Sequence, residues 1–334
     1  MAFENLSPVS DSVIAQIDLL NEQCLGHAIK VHSRENGMPE LKGVNIAILG
    51  VRESRGSVHH IENSIDFSAI RRAFYSLYPG NWHTVISDLG DLQPGESSSD
   101  TYYALKEIVT ELVKKNVVPV ILGGSQDLTY AIYRAYDGLD QMVNLVNIDG
   151  HFDLGNSSLP ITNKSFVGKI IVDQPYNLFN YSNIGYQTYY NSQEEIDLME
   201  KLYFDSFRLG SLTSELTAVE PVMRDADVVS LDLTALIAQL IWYFIEGVNY
   251  RMNERLENRE TDFLHYSVPV DDELLSFYKS TFSERWWIEI PFIKGVNNKL
   301  KRNTLLPCTE EDYINACNQE IPERWYKAKR KNEI

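Results

Sequence analysis

From Val44 onward, short apolar runs alternate with segments whose apolar residues recur at helical spacing. VNIAILGV, VVPVILGG and MVNLVNID predict buried strands, and TYYALKEIVTELVKKN predicts an amphipathic helix. Strands and helices that alternate in this way build a mostly parallel sheet with helices on both faces. The sequence therefore predicts an α/β fold.

The composition is that of a globular protein with a full core. Hydrophobic residues make up 44% of the chain and charged residues 23%. No stretch reaches the roughly 20 apolar residues that a membrane-spanning helix needs, so we expect no membrane partner. The N-terminus lacks the features of a signal peptide, and the three cysteines are widely spaced. We therefore expect a cytoplasmic protein.

The net charge of −17 constrains the ligands and partners. Nucleic acid is itself anionic, so we expect none to bind. Such a charge favours cationic ligands, including divalent metal ions and substrates of the guanidinium type. The alternative interpretation is that the acidic residues only keep the protein in solution.

The chain divides into three parts by sequence pattern. Residues 1–40 predict a helical lead-in, residues 41–259 an α/β domain, and residues 260–334 a C-terminal extension that packs on the core. Within the domain, Ser99 or Asp100 is expected to cap the helix that follows the loop PGESSSD.

Three polar clusters follow predicted strands: GGSQD (123–127), DGHFD (149–153) and SLD (230–232). In parallel sheets ligands bind beyond the carboxyl ends of the strands. Asp149, His151 and Asp153 alternate along the chain, so their side chains are expected to point the same way. Together with Asp232 they form a ligand set for Mn²⁺, Zn²⁺ or Fe²⁺. The alternative is that they are capping and turn residues.

The three clusters resemble motifs of one enzyme family. VILGGSQD resembles the Gly-Gly-x-His-Asp element of the ureohydrolases, the family of arginase, agmatinase and formimidoylglutamase. NIDGHFD resembles their Asp-Ala-His-x-Asp element, and VVSLDLT resembles the opening of their Ser-x-Asp-x-Asp element. The resemblance covers residues 44–235, and LIAQLIWYFIEG, which resembles the closing helix of the family, extends it to about residue 250.

The resemblance implies a three-layer α/β/α fold around a mostly parallel central sheet. It also implies two Mn²⁺ ions, with Asp149 and Asp232 bridging both and with His151 and Asp153 each binding one. A metal-bound hydroxide would attack a linear amidine or guanidino group of a small cationic substrate and release urea or formamide. The family commonly forms trimers or hexamers, so we expect a homo-oligomer.

The chain departs from the family pattern at two ligand positions. Gln126 stands where the family has a histidine, and Thr234 stands where it has an aspartate, so both are weak ligands. These changes predict one or two bound ions, or none. A family segment is also missing after Ala235: either the protein has lost it, or the sequence is closed over it.

Other polar residues are candidates for substrate binding. Arg52 and Arg55 follow the first strand, and arginine binds carboxylates through paired hydrogen bonds. Ser165 lies where the resemblance places residues that line the substrate entrance. Asn183 lies on the next predicted strand and is interpreted as a turn cap.

The sequence leaves open whether the protein is an enzyme. The first hypothesis is a Mn²⁺-dependent C–N hydrolase of linear amidines, of the arginase or formimidoylglutamase type. The alternative is a catalytically degenerate ureohydrolase-fold protein that acts as a binding or scaffold module, with Asp127 as a helix N-cap. A third hypothesis is a one-metal hydrolase with an altered substrate, in which Gln126 orients the water.

Overall fold

The computed structural model describes residues 2–58, 65–81, 83–139, 141–212, 216–232, 264–270, 273–279, 286–289, 305–318 and 320–333. Thr234, Ala235 and the segment LIAQLIWYFIEG lie outside these residues. The chain divides into two compact units. Unit 1 comprises Met1–Ala135 and Gly155–Lys169, and unit 2 comprises Tyr136–Leu154 and Ile170–Ile334.

The described secondary structure alternates strands and helices over most of its length. The strands are β1 (Leu6–Ser7), β2 (Lys30–Val31), β3 (Ile46–Val51), β4 (Ile86–Leu92), β5 (Val118–Leu122), β6 (Val143–Ile148), β7 (Leu178–Tyr186), β8 (Asp205–Arg208), β9 (Val228–Leu231), β10 (Leu264–Val270), β11 (Glu273–Lys279), β12 (Trp286–Glu289) and β13 (Leu305–Cys308). The helices are α1 (Asp11–Ile17), α2 (Leu25–Ala28), α3 (Ser68–Tyr75), α4 (Ser98–Lys114), α5 (Leu128–Arg134), α6 (Phe166–Val172), α7 (Gln193–Lys201), α8 (Leu209–Leu212), α9 (Glu220–Arg224), α10 (Glu310–Cys317) and α11 (Glu323–Glu333).

Unit 1 contains a sheet with the strand order β1-β4-β3-β5, and β2 also pairs with β4. The pairings of β3 with β4 and with β5 are parallel. Every residue of β3 and β4 is buried, as expected for parallel strands that are covered on both faces. Strand β3 confirms the buried strand that the apolar run VNIAILGV predicts.

The lead-in and the helix cap differ from the sequence prediction. Residues 1–40 contain the strands β1 and β2 as well as two helices, and both strands pair with β4. Helix α4 is capped by Ser97 and not by Ser99 or Asp100. Asp100 lies three residues further on and completes a capping box with Ser97, so the helix begins earlier than its apolar pattern indicates.

A buried ion-pair network joins α3 to β4 in unit 1. Nε of Arg71 lies 2.8 Å from Oδ2 of Asp88, and its Nη1 lies 2.7 Å from Oδ1 of Asp91. The hydroxyl of Tyr75 donates to Asp88 at 2.8 Å. Burial alone would lower the pKa of Arg71, but the two carboxylates outweigh burial and raise it. The two aspartates of β4, Asp88 and Asp91, are therefore tolerated inside the sheet because Arg71 contacts both and Arg52 also binds Asp91.

Unit 2 contains an all-parallel sheet with the order β8-β7-β6-β9. Short helices after β8 pack on it through a cluster of buried apolar residues. The cluster consists of Val146, Ile184, Leu212, Val219, Val222 and Ala226. Strands β10 to β13 form a separate antiparallel sheet in the same unit.

The C-terminal helix α11, which contains the buried Trp325, contacts the start of β8 through charged side chains. Nζ of Lys327 lies 3.6 Å from Oδ1 of Asp205, the first residue of β8, and Nη1 of Arg324 lies 3.9 Å from its Oδ2. Burial alone would raise the pKa of Asp205, but the cations of α11 hold it below the usual value for an aspartate. Within the described residues, no helix is long and apolar enough to cross a membrane.

Replacing Arg71 with methionine should lower the free energy of unfolding by about 3–5 kcal/mol, because Asp88 would stay buried without its cation. Urea denaturation measures the loss. The neighbouring Arg72 donates to Ser12 at 3.2 Å near the surface, so Arg72→Met should change stability by no more than about 0.5 kcal/mol. Equal losses for the two variants would contradict a stabilising role of the network.

Candidate functional site

Asp149 and Asp232 follow neighbouring parallel strands of unit 2. Strand β6 ends at Ile148 and β9 at Leu231, and these two residues are paired in register. The backbone N–H of Asp232 donates to the carbonyl of Ile148 at 3.1 Å. Both aspartates therefore lie at the carboxyl edge of one sheet, where the sequence predicted them.

The carboxylate of Asp149 is almost completely withdrawn from solvent, with 1% of the residue exposed. Its Oδ1 accepts a hydrogen bond from the backbone N–H of His151 at 3.0 Å and lies 3.5 Å from Nδ1 of the same histidine. Its Oδ2 is buried and accepts no hydrogen bond in the described part of the chain. Burying such an oxygen is costly, so a cation or a water molecule is the partner that its chemistry calls for.

The imidazole of His151 is held at the edge of the site. Its side chain is 33% exposed, and its ring stacks on the ring of Tyr190 with centroids 4.8 Å apart and planes 14° apart. One face of the ring is thus covered, and Nδ1 points towards Asp149. The structure brings together these two members of the predicted ligand set.

Asp153 lies in a different environment. Its φ of +53° is in the left-handed region, which aspartate tolerates better than most residues. The residue is buried, and its Oδ2 accepts a hydrogen bond from Nδ2 of Asn147 at 3.3 Å. Burial, with a contribution from Asp153, raises the pKa of the nearby Tyr181. The side chain of Asp153 is therefore engaged with polar groups of the sheet.

Asp149 and His151 lie close together, but no larger set of ligands forms around them in the described part of the chain. Among them, no group of three or more His, Cys, Asp or Glu side chains lies close enough to hold a metal ion. The pair Asp149 and His151 supplies one anionic oxygen without a hydrogen bond and one imidazole nitrogen. Thr234 is outside the described residues. Metal binding by Asp149, His151, Asp153 and Asp232 stays a prediction.

The GGSQD cluster belongs to unit 1, between β5 and α5. Asp127 is fully buried, and its Oδ2 accepts a hydrogen bond from the hydroxyl of Tyr102. Burial raises the pKa of Asp127. Asp127 occupies the predicted N-cap position of α5, but its side chain makes no capping hydrogen bond, and its carboxylate binds Tyr102 instead. Gln126 precedes it, and the carbonyl of Gln126 accepts from the N–H of Thr129 at 3.0 Å.

The predicted substrate-binding residues of unit 1 bind protein groups. Arg52 donates to Oδ2 of Asp91 at 2.6 and 3.0 Å, and Arg55 donates to Oε1 of Glu53 at 2.9 Å. The hydroxyl of Ser165 accepts from the N–H of Thr162 at 3.0 Å. Each of these side chains thus has a structural partner, and a role in substrate binding stays a prediction.

The sequence pattern does not indicate several residues that lie next to Asp149 and His151 in the structure. Asn183 was interpreted as a turn cap, but its Nδ2 donates to the carbonyl of His151 at 2.7 Å. Tyr190 and Asn191 were not singled out, because they lie in a polar turn about 40 positions away. The available signal was the pair Asn147 and Asn183, since amides inside parallel strands are rare without a polar partner.

Comparison with known proteins decides the family. A model of the Arginase family matches residues 44–236, more than half of the chain. The chain belongs to the Arginase family. The match begins just before β3 and includes all three polar clusters, so the resemblance of the motifs is confirmed.

Relatives and solved structures agree with this assignment. The chain is 25% identical over 182 residues to a formimidoylglutamase from Photorhabdus laumondii, which covers 51% of this chain and 57% of that protein. The crystal structure of Trypanosoma cruzi formiminoglutamase with Mn²⁺ has a TM-score of 0.50 at 15% identity and covers 56% of this chain and 68% of that one. A formimidoylglutamase from Bacillus subtilis has a TM-score of 0.50 at 16% identity and covers 62% and 68%.

These likenesses show the fold of this Arginase family member. They confirm the predicted α/β class with three α/β/α layers and mostly parallel strands. The chain spans about half the length of the curated relatives it matches. The activity of the protein is therefore a matter for proposal.

The two glycines of the GGSQD cluster should differ sharply in their tolerance of a methyl group. A Cβ on Gly124 would lie 1.7 Å from the carbonyl oxygen of Glu53, whereas a Cβ on Gly123 would lie 3.5 Å from Cδ1 of Leu128. We expect Gly124→Ala to lower the free energy of unfolding by at least about 2 kcal/mol. Gly123→Ala should stay within about 1 kcal/mol of the wild type in urea denaturation. If Gly124→Ala were as stable as the wild type, the close approach of Gly124 to the carbonyl oxygen of Glu53 would be contradicted.

Proposed function

We propose that the protein is a metal-dependent hydrolase of linear amidines, of the arginase or formimidoylglutamase type, which releases urea or formamide. The observation that supports this proposal is the buried carboxylate of Asp149: its Oδ2 accepts no hydrogen bond from the residues that the structure describes, and its Oδ1 lies 3.5 Å from Nδ1 of His151. A buried carboxylate beside an imidazole is a donor set for a transition-metal cation.

In this proposal Asp149 and His151 would hold Mn²⁺, and Asp153 and Asp232 are further candidate ligands. The chemistry that the ion supplies when bound is the activation of water near neutral pH. Asp149 provides negative charge in a site that excludes solvent, which strengthens its attraction for a cation. Tyr190 covers one face of the His151 ring and keeps it from turning away.

The proposed substrate is a small molecule that carries a cationic amidine or guanidino group. The net charge of −17 favours the approach of such a molecule. The cytoplasmic location and the homo-oligomeric state expected from the sequence belong to the same proposal.

A second candidate function is that of an Arginase family protein without hydrolysis, acting as a binding or scaffold module. Two observations favour it. Gln126 replaces a histidine of the family motif. The described residues also contain no group of three ligands that could hold a metal ion. In this case Asp149 and His151 would bind a cation or a polar ligand without turnover.

Metal content and thermal stability in Mn²⁺ separate these candidates. We expect about one Mn²⁺ per chain and a rise in Tm that corresponds to about 2.7 kcal/mol at a hundredfold excess over Kd. Asp149→Asn should abolish the rise, because the amide removes the negative charge from the site. Asp205→Asn, a buried aspartate at the opposite end of the same sheet, should keep it.

Activity is assayed on the same samples as urea release from arginine and formamide release from formimidoylglutamate. Turnover by the wild type that Asp149→Asn loses would support the hydrolase. Metal binding with no turnover of either compound would favour the second candidate. No bound metal at millimolar Mn²⁺ would sink the hydrolase proposal.

A further inference from the structure

The backbone of residues 149–153, which we call the Asp149 loop, is held by side chains from β7 and the turn after it. Nδ2 of Asn183 donates to the carbonyl of His151 at 2.7 Å, and the hydroxyl of Tyr181 donates to the carbonyl of Phe152 at 3.0 Å. The N–H of Phe152 donates to Oδ1 of Asn191 at 2.7 Å. Two consecutive peptide groups of the loop, those that join His151 to Phe152 and Phe152 to Asp153, are thus bound by side chains distant in sequence.

Asn183 is fully buried inside a parallel strand, where apolar side chains are usual. Its amide orientation is fixed by chemistry, because only Nδ2 can donate to the carbonyl of His151. Its Oδ1 is buried and accepts no hydrogen bond within the described residues. A side chain that served packing alone would avoid this cost, so the bond to the loop is the feature that explains an asparagine here.

Asn191 connects the Asp149 loop to the turn that carries Tyr190. Its Nδ2 donates to the carbonyl of Gly150 at 3.0 Å and to the carbonyl of Gln187 at 2.8 Å. The N–H of Gln187 in turn donates to the carbonyl of Gly150 at 3.0 Å. Asn191 therefore fixes the backbone of His151 on one side and the ring that stacks on His151 on the other.

We propose that Asn183 and Asn191 are positioning residues that hold the Asp149 loop in the one shape that keeps Asp149 beside His151. This inference rests on the proposed function, since it assigns these residues to the same cation site. Neither residue is itself a ligand. Each acts through the backbone of the loop, and loss of either lets the carboxylate and the imidazole separate.

We expect that removing either side chain lowers the affinity for Mn²⁺ by more than the accompanying loss of folding stability explains. Partners that orient metal ligands typically change metal affinity by about 10–100-fold when they are removed. We therefore expect Asn183→Ala and Asn191→Ala to raise the Kd for Mn²⁺ at least about tenfold. The Kd is measured on the full chain from the electron paramagnetic resonance signal of free Mn²⁺.

Asn177→Ala is the matched control. Asn177 is also fully buried and lies directly before β7, at the end of the strand opposite to the loop. Its Nδ2 donates to Asp137 at 3.2 Å. We expect this variant to lose thermal stability to a degree similar to Asn183→Ala while its Kd for Mn²⁺ stays within about threefold of the wild type.

A Kd that is unchanged in Asn183→Ala and Asn191→Ala, or raised equally in the control, would overturn the positioning role and leave the proposed function intact. If the wild type itself binds no Mn²⁺, the proposed function fails, and hydrogen exchange in the metal-free protein decides the positioning role. Faster exchange at the amides of His151 and Phe152 in the two loop variants than in the control would support it. Equal exchange in all three variants would refute it.

Discussion

The buried carboxylate of Asp149, one oxygen of which accepts no hydrogen bond from the described part of the chain, is the constraint on which the account of unit 2 depends. Asp149 follows β6 directly, so the parallel strands on either side determine where its side chain lies. Asp149 is buried, and the backbone N–H of His151 donates to its other oxygen. Burial makes the charge expensive, and the proposed cation would offset that cost.

Buried amide side chains hold the segment that begins with this carboxylate. Asn147 binds Asp153, while Asn183 and Asn191 bind the backbone between the two aspartates. Buried amides of this kind specify one conformation when their hydrogen bonds are made. Unit 1 also contains buried acids, Asp88 and Asp91, and there Arg71 contacts both of them. In unit 1 the buried acids meet a cation of the protein. In unit 2 we propose that the partner of Asp149 is a bound cation.

Much of the fold could be predicted from the sequence, because continuous apolar runs such as IAILGV and VNLVNI leave little choice but buried parallel strands. The position of Asp149 and Asp232 at one sheet edge follows from the same reasoning. Two-residue strands such as β1 are too short to show a periodicity, so the lead-in was predicted as helical only. The cap of α4 is misplaced by the sequence pattern because the run GESSSD offers three serines, and only the backbone selects Ser97.

The environment of the site was less predictable than its location. Asp127 looked like an N-cap by position, but a tyrosine 25 residues away binds its carboxylate. Asn191 supports the Asp149 loop across about 40 residues of sequence, and no local pattern indicates such a contact. Family membership extends the prediction of fold to the whole matched segment. It does not extend to the ligand set, because Gln126 departs from the motif at the position where the family supplies a histidine.

Locating the bound metal tests the central claim most directly. Crystals of the full chain grown with Mn²⁺ give anomalous scattering at the manganese absorption edge, which marks the ion without reference to the protein. We expect a peak within bonding distance of Oδ2 of Asp149 and of the His151 ring. A difference map without a peak there, with Oδ2 of Asp149 bound instead to a donor of the protein, would contradict a cation site at this carboxylate.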